Sequence, residues 1–167
     1  MSNQLNGFEE GAVYVVLHLR STEPNDNSFH WGLYHHYRPK ANAAIGYKYH
    51  IRNVGSNWLT DHGPTSGLLK SMALVVIVRI IRSVPADYVP QFQQLMQAED
   101  AIVNTIPSVS CRVWLFRTLQ RLQLSHFLRC NDLNALEQEI RKIGQEERLS
   151  ACKAEIPRPI RASALCA

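Results

Sequence analysis

The longest apolar run in the chain, Met72 to Ile81, is broken only by Arg79 and is mostly β-branched. Branching at Cβ favours the pleated conformation. A near-continuous run, in place of strict alternation, implies burial on both faces, so Met72 to Arg82 is expected to be a central strand. The run is too short to cross a bilayer, which takes ~20 apolar residues. A strand buried on both sides needs neighbours, and the chain before it supplies them. Ala12 to Leu19 and Phe29 to Tyr37 are rich in valine and aromatic residues, and Tyr47 to Arg52 alternates. The Pro24-Asn25-Asp26-Asn27 cluster separates the first two. A turn over Pro39 to Gly46 joins the second and third as a hairpin. Gly55 to Gly67, with Pro64 inside it, is expected to be irregular.

After Arg82 the period changes. Tyr88 to Val103 is expected to be a helix with Pro90 near its start. Cys111 to Phe127 places Leu115, Leu119 and Leu122 on one face and Arg112, Gln120 and Arg121 toward the other. Asp132 to Arg148 repeats Leu133, Leu136, Ile140 and Ile143 at helical spacing, with Glu137 four residues before Arg141. Strands first and helices second define an α+β class: an antiparallel sheet of about four to five strands with helices packed on it. The first eleven residues read as frayed. Residues 1–153 form one domain, and 154–167, carrying Ile156-Pro157-Arg158-Pro159, read as a flexible extended tail.

Composition narrows the function classes. A chain of 167 residues fits one core, and 46% hydrophobic with 19% charged residues excludes wholesale disorder. The net charge of +4 is spread along the chain without a block, so nothing forces a nucleic-acid partner and none is expected. The start of the chain shows no secretory or mitochondrial pattern, which makes the cytoplasm the default location. Four cysteines stand at 111, 130, 152 and 166 with no CxxC spacing. A zinc site built from them is not expected, and in a reducing compartment they are free thiols.

Cys111 is the cysteine whose position carries chemistry. It follows a loop with Ser108 and Ser110, either of which could cap the helix that Cys111 opens. A thiol at a helix N-terminus meets unpaired N–H groups and the positive end of the dipole, and both favour thiolate. The same amides could hold an oxyanion. A thiolate nucleophile needs a base, and the base needs an orienting partner. His30 and His50, on adjacent candidate strands, can be brought side by side, giving nucleophile, base and orienter.

Three short motifs, in this order, carry a resemblance spanning roughly His30 to Phe127. His30-Trp31-Gly32-Leu33-Tyr34 resembles the His-aromatic-small-aliphatic-Tyr strand of the lecithin–retinol acyltransferase-like proteins. Tyr47-Lys48-Tyr49-His50 resembles their next strand, and Ser110-Cys111-Arg112-Val113-Trp114 their cysteine-bearing helix start. The pattern is also similar to that of short, mostly uncharacterised fungal proteins. The resemblance implies a circularly permuted, papain-like (NlpC-type) fold. It implies that Cys111 attacks, His30 is its base and His50 orients His30. Trp31, Tyr34, Arg112 and Trp114 are then the candidate substrate contacts.

The expected activity is a cysteine-dependent acyl hydrolase or acyltransferase working on a small-molecule, acyl or peptidyl substrate, with no cofactor. Two alternatives stand beside it: a non-catalytic binding protein on the same fold, and an isomerase or cyclase of specialised metabolism using histidines without a covalent step. Asp61-His62 offers another acid–base pair. One of His35 and His36 could line a cleft, although a solvated surface suits them better. Convergence of His30, His36 and His50 with Asp61 on a metal lacks any compact ligand motif, so no metal is expected. Arg112, Arg117 and Arg121 form a basic stripe whose default is a solvated face. Cys130, Cys152 and Cys166 read as core or tail thiols.

Overall fold

The computed structural model describes residues 7–37 and 46–167. Of the eleven residues expected to be frayed, the first six lie outside the described residues, as does most of the expected Pro39–Gly46 turn. Phe8 to Gly11 are held: Phe8 packs on the Tyr14–Tyr34 cluster, Glu9 N donates to Tyr14 Oη at 2.8 Å and Gly11 N to His36 O at 2.7 Å. The architecture is α+β. A six-stranded sheet has the order β6-β3-β2-β1-β7-β8. Its strands are β1 (Val13–Leu19), β2 (Phe29–His35), β3 (Gly46–Tyr49), β6 (Gly63–Thr65), β7 (Leu74–Ile81) and β8 (Ile160–Ala162). A separate hairpin joins β4 (Ile51–Val54) to β5 (Asn57–Thr60). Three α-helices follow β7: α1 (Val89–Met96), α2 (Cys111–Leu124) and α3 (Leu133–Cys152).

Period-two alternation sorts β1 and β2 between two apolar environments. Val13, Val15, Leu17, Phe29, Trp31 and Leu33 face the helices and join Trp114, Leu115, Leu119, Leu136 and Ile140 in the main core. Ala12, Tyr14, Val16 and Tyr34 face the other way and cluster with Leu74 and Ile77 under Phe8, Leu68 and Leu69. β7 is interior, between β1 and β8, and Leu74 to Val78 are all buried. Helix α3 approaches the sheet at Gly144, where a Cβ would stand 2.7 Å from Leu17 Cδ1 and 3.0 Å from the Phe29 ring.

Several expectations are corrected. The sheet is mixed, because β8 runs parallel to β7 with Ile77 opposite Ile160 and Arg79 opposite Ala162. Residues 154–167 are therefore not a loose tail. The Arg158 guanidinium, 8% exposed, donates to Val75 O at 2.8 Å, to Glu155 O at 2.9 Å and to Ser150 Oγ at 3.0 Å. A buried cation satisfied by main-chain carbonyls holds the segment where apolar periodicity gives no signal.

The expected third strand, Tyr47 to Arg52, breaks at His50. There the backbone N–H donates to His62 Nδ1 at 3.1 Å, and the carbonyl accepts from Asp61 N at 2.9 Å, in place of ladder partners. The stretch expected to be irregular holds β5 and β6. Gly55 at φ +65 serves the two-residue turn that pairs Val54 with Asn57, and Pro64 sits on the sheet's edge strand.

The helix expected over Tyr88–Val103 stops at Met96, and a 3-10 segment runs over Asp100–Thr105. Between them Glu99 is drawn into ion pairs with Arg117 and Arg121. Helix α2 ends at Leu124, with Ser125 as its C-cap and His126 at φ 63 just beyond. Helix α3 runs on to Cys152. No helix among the described residues is long and apolar enough to cross a membrane.

Candidate functional site

Ser110 caps α2: it is extended (φ −151, ψ 168), and its Oγ accepts from Val113 N at 3.1 Å. Ser108, at φ 53, does not cap it. Ser110 O also takes the Trp114 N–H at 2.9 Å, so the amides of Cys111 and Arg112 remain as first-turn donors not used inside the helix. Cys111 is the first residue of α2, 1% exposed, and packs on the β2 side of the core.

Three groups surround its sulfur. Arg20, just past the end of β1, donates from Nη2 at 3.1 Å while its Nε holds Phe29 O at 3.0 Å. The Trp31 backbone N–H and the His30 side chain supply the others. Burial of the thiol pushes its pKa up. Hydrogen bonding by His30 and Trp31, the His30 charge and Arg20 together outweigh burial and bring it down from 9.0 to about 7.

His30 Nε2 lies 2.9 Å from His50 Nδ1, and His50 Nε2 lies 3.1 Å from Asp61 Oδ2. Asp61 also meets Lys48 Nζ at 3.2 Å and Arg52 Nε at 3.7 Å. Burial opposes ionisation of Asp61, but these cations and His50 hold its carboxyl below its ordinary value. Burial, and then the neighbouring His30 charge, pull His50 down to about 4, with Asp61 opposing. A neutral His50 that donates from Nε2 to Asp61 must accept at Nδ1. That fixes the proton of His30 on Nε2 and leaves its Nδ1 for the sulfur. The break in the strand at His50 and the absence of a side chain at Gly32 make this possible. A Cβ on Gly32 would lie 3.3 Å from His50 Cβ.

A cavity of about 340 Å³ borders this relay on the face of the sheet away from the helices. His18, His30, His50, Tyr34, Lys48 and Leu68 are among its walls, but Cys111 is not. His18 stands opposite His30 in the β1–β2 register, and burial pulls it down to about 4, leaving it neutral. Two larger grooves, about 790 and 720 Å³, lie around His126 and Arg129, and neither includes Cys111 or His30. Size alone does not make a site; the small cavity is the one whose walls include the hydrogen-bonded His30–His50 pair.

The structure thus brings Cys111, His30 and His50 together. Of the four expected substrate contacts, only Tyr34 lines the cavity. Its hydroxyl sits 2.9 Å from His36 Nδ1. Trp31, 1% exposed, points to the helix side against Phe116 and beneath Arg141. Trp114 is fully buried against His62. Arg112 is tied to Glu137 at 3.1 Å.

The basic stripe is not a free solvated face, since Arg117 and Arg121 share Glu99. Asp61 does not pair with His62. His62 Nε2 engages Asp100 at 3.1 Å, and Asp61 serves His50 instead. His35 and His36 are both buried, His35 against Phe92 and His36 stacked on Phe8, and neither is among the cavity's walls. Among the described residues no three His, Cys, Asp or Glu side chains are placed to hold a metal. Sequence reasoning missed Arg20, His18 and Asp61 as the partner of His50. Each enters through strand register or a loop contact that no local pattern announces. Comparison with protein-family models, curated proteins and solved structures finds no match.

Proposed function

We propose that the chain is a cysteine-dependent acyl hydrolase or acyltransferase on a permuted papain-like fold. The observation that carries the reading is the continuous chain from the Cys111 sulfur through His30 and His50 to Asp61. The order of the parts supports the fold assignment: a histidine on β2, a second just after β3, and a cysteine opening α2.

His30 Nδ1 takes the thiol proton, and the resulting imidazolium is held by His50, whose tautomer Asp61 maintains. The thiolate attacks the carbonyl carbon of an ester, thioester or amide. The first-turn amides of Cys111 and Arg112, not used inside the helix, are the donors offered to the developing oxyanion. The imidazolium then protonates the leaving group, the carbon–heteroatom bond breaks and an acyl-thioester remains. Water or another nucleophile, deprotonated by His30, releases the acyl group. Arg20 covers the sulfur, so turnover requires its guanidinium to move aside.

A second reading, an isomerase or cyclase, draws on the cavity walls, which hold three imidazoles and not the sulfur. The burial of Cys111 favours a third, a binding protein without turnover. Incubation with p-nitrophenyl esters of graded chain length, followed by intact-mass spectrometry, separates the readings. The expected result is an acyl adduct on Cys111 and none in Cys111→Ala. Absence of an adduct from both proteins, with ester hydrolysis unchanged by Cys111→Ala, overturns the covalent route.

A further inference from the structure

The α2–α3 connection and the C-terminal segment meet at an isolated antiparallel bridge that pairs Cys130 with Cys166. The flanking bond runs from Ala167 N to Arg129 O at 3.0 Å. Bonds that flank a pair, and are not exchanged within it, mark a non-hydrogen-bonded position, where Cα atoms come within ~4.5 Å and side chains are closest. That separation lies in the window of about 4.4–6.8 Å that a disulfide spans. The two thiols are within hydrogen-bonding reach of one another, and both cysteines are free.

Each side is already held in place. Gln123 Nε2 donates to Cys130 O at 2.5 Å, and the Cys130 thiol contacts Asp132 O at 3.5 Å. Glu139 accepts from Ser163 Oγ and from Ala164 N, both at 2.6 Å. Closing the bond therefore requires little backbone movement.

We propose that Cys130 and Cys166 are a redox pair that closes to a disulfide under oxidising conditions, fastening the segment after β8 to the α2–α3 connection. With hydrogen peroxide as oxidant, one thiolate attacks the O–O bond, becomes a sulfenic acid and expels water. The second sulfur then displaces the sulfenic oxygen as a second water. The two sulfurs lose two electrons and two protons in all, and the peroxide accepts both. Burial pushes the Cys166 thiol up to about 12, so closure is slow at neutral pH and quickens as pH rises. The pair is remote from the Cys111 relay, and the proposal stands whether or not Cys111 is a nucleophile.

The test is peroxide treatment of the full chain, alkylation of remaining thiols under denaturing conditions, and tryptic peptide mapping. The expected product is peptide 130–141 joined to peptide 162–167, lighter by two hydrogens and separated by dithiothreitol. Tm should rise by roughly 5–10 °C on oxidation, and not in Cys166→Ser. Should that variant fail to fold, the peptide map of the unsubstituted chain still decides. Full alkylation of Cys130 and Cys166 after peroxide at pH 9, or linkage of either to Cys111 or Cys152, overturns the pairing. A linked protein with unchanged Tm overturns the fastening.

Discussion

Replacing His30 by alanine isolates what the imidazole does to the sulfur. In the native site the Cys111 thiol titrates at about 7 in place of 9.0, a gap of two units. That gap corresponds to roughly 2.7 kcal/mol favouring thiolate. About half of the thiol is ionised at pH 7 in the native protein, against about 1% for a pKa of 9. His30 supplies both a hydrogen bond and a charge; in the variant burial still pushes upward while the Trp31 N–H and Arg20 still pull down, so His30→Ala should titrate above the native site, back toward the ordinary 9.0. With a full return to 9.0, ionisation at pH 7 falls ~50-fold, but a thiolate two pKa units more basic is ~8-fold more nucleophilic, so alkylation should slow only about 6-fold. The opposing effects make the curves cross near pH 8, and above pH ~10 the variant should react several-fold faster. Iodoacetamide labelling of Cys111 from pH 5 to 10.5, read by peptide mass spectrometry, measures both profiles. The midpoint is the readout, since removing the ring also changes access to the sulfur. Coincident profiles, with the native rate still climbing through pH 9, would refute an activated thiolate.

Four further outcomes follow from the same geometry. Asp61→Asn removes the acceptor that keeps the proton of His50 on Nε2, and kcat/KM for any ester turned over should fall by ~10²-fold or more while Tm changes little. Gly32→Val should act similarly by displacing His50, whose Cβ lies 3.3 Å from the position of a residue-32 Cβ; loss of Tm without loss of turnover would count against this. Gly144→Ala should destabilise the fold by about 1–3 kcal/mol in urea titration, because its Cβ would stand 2.7 Å from Leu17 Cδ1. Burial, the main cause in each case, pulls His18, His35 and His50 down to about 4 from 6.5, so the unfolded chain binds more protons than the native one in that interval. Stability should therefore fall as pH drops from about 6.5 to 4, and His35→Phe should reduce the measured proton uptake on unfolding at pH 5 by about one.

The site was legible in part because its two strongest signals are local. A cysteine after a serine cap at the start of an amphipathic run can be read from a few residues, and so can a histidine inside a β-branched strand. Their meeting could not be read, because it depends on β2 packing beside the start of α2. Register decided the contacts that were misplaced. Trp31 adjoins His30 in sequence, but the pleat sends it to the opposite face, where Phe116 and Arg141 cover it. Tyr34, an even number of residues from His30, shares its face and reaches the cavity.

Parity along β2 was thus available from the sequence, and it should have outweighed the aromatic character of Trp31. Nothing comparable announced Asp61 or Arg158. Asp61 meets His50 only because the strand breaks there and the β4–β5 hairpin turns the chain back. Arg158 looks like a charge in a proline-rich tail until Val75 O and Glu155 O accept its protons. A buried arginine bound to carbonyls leaves no period in the sequence, and a three-residue parallel strand leaves almost none. The same blindness applies to the Cys130–Cys166 bridge, which joins two segments 36 positions apart. Spacing suggested only that four thiols lacked a metal motif; strand pairing shows which two of them face each other.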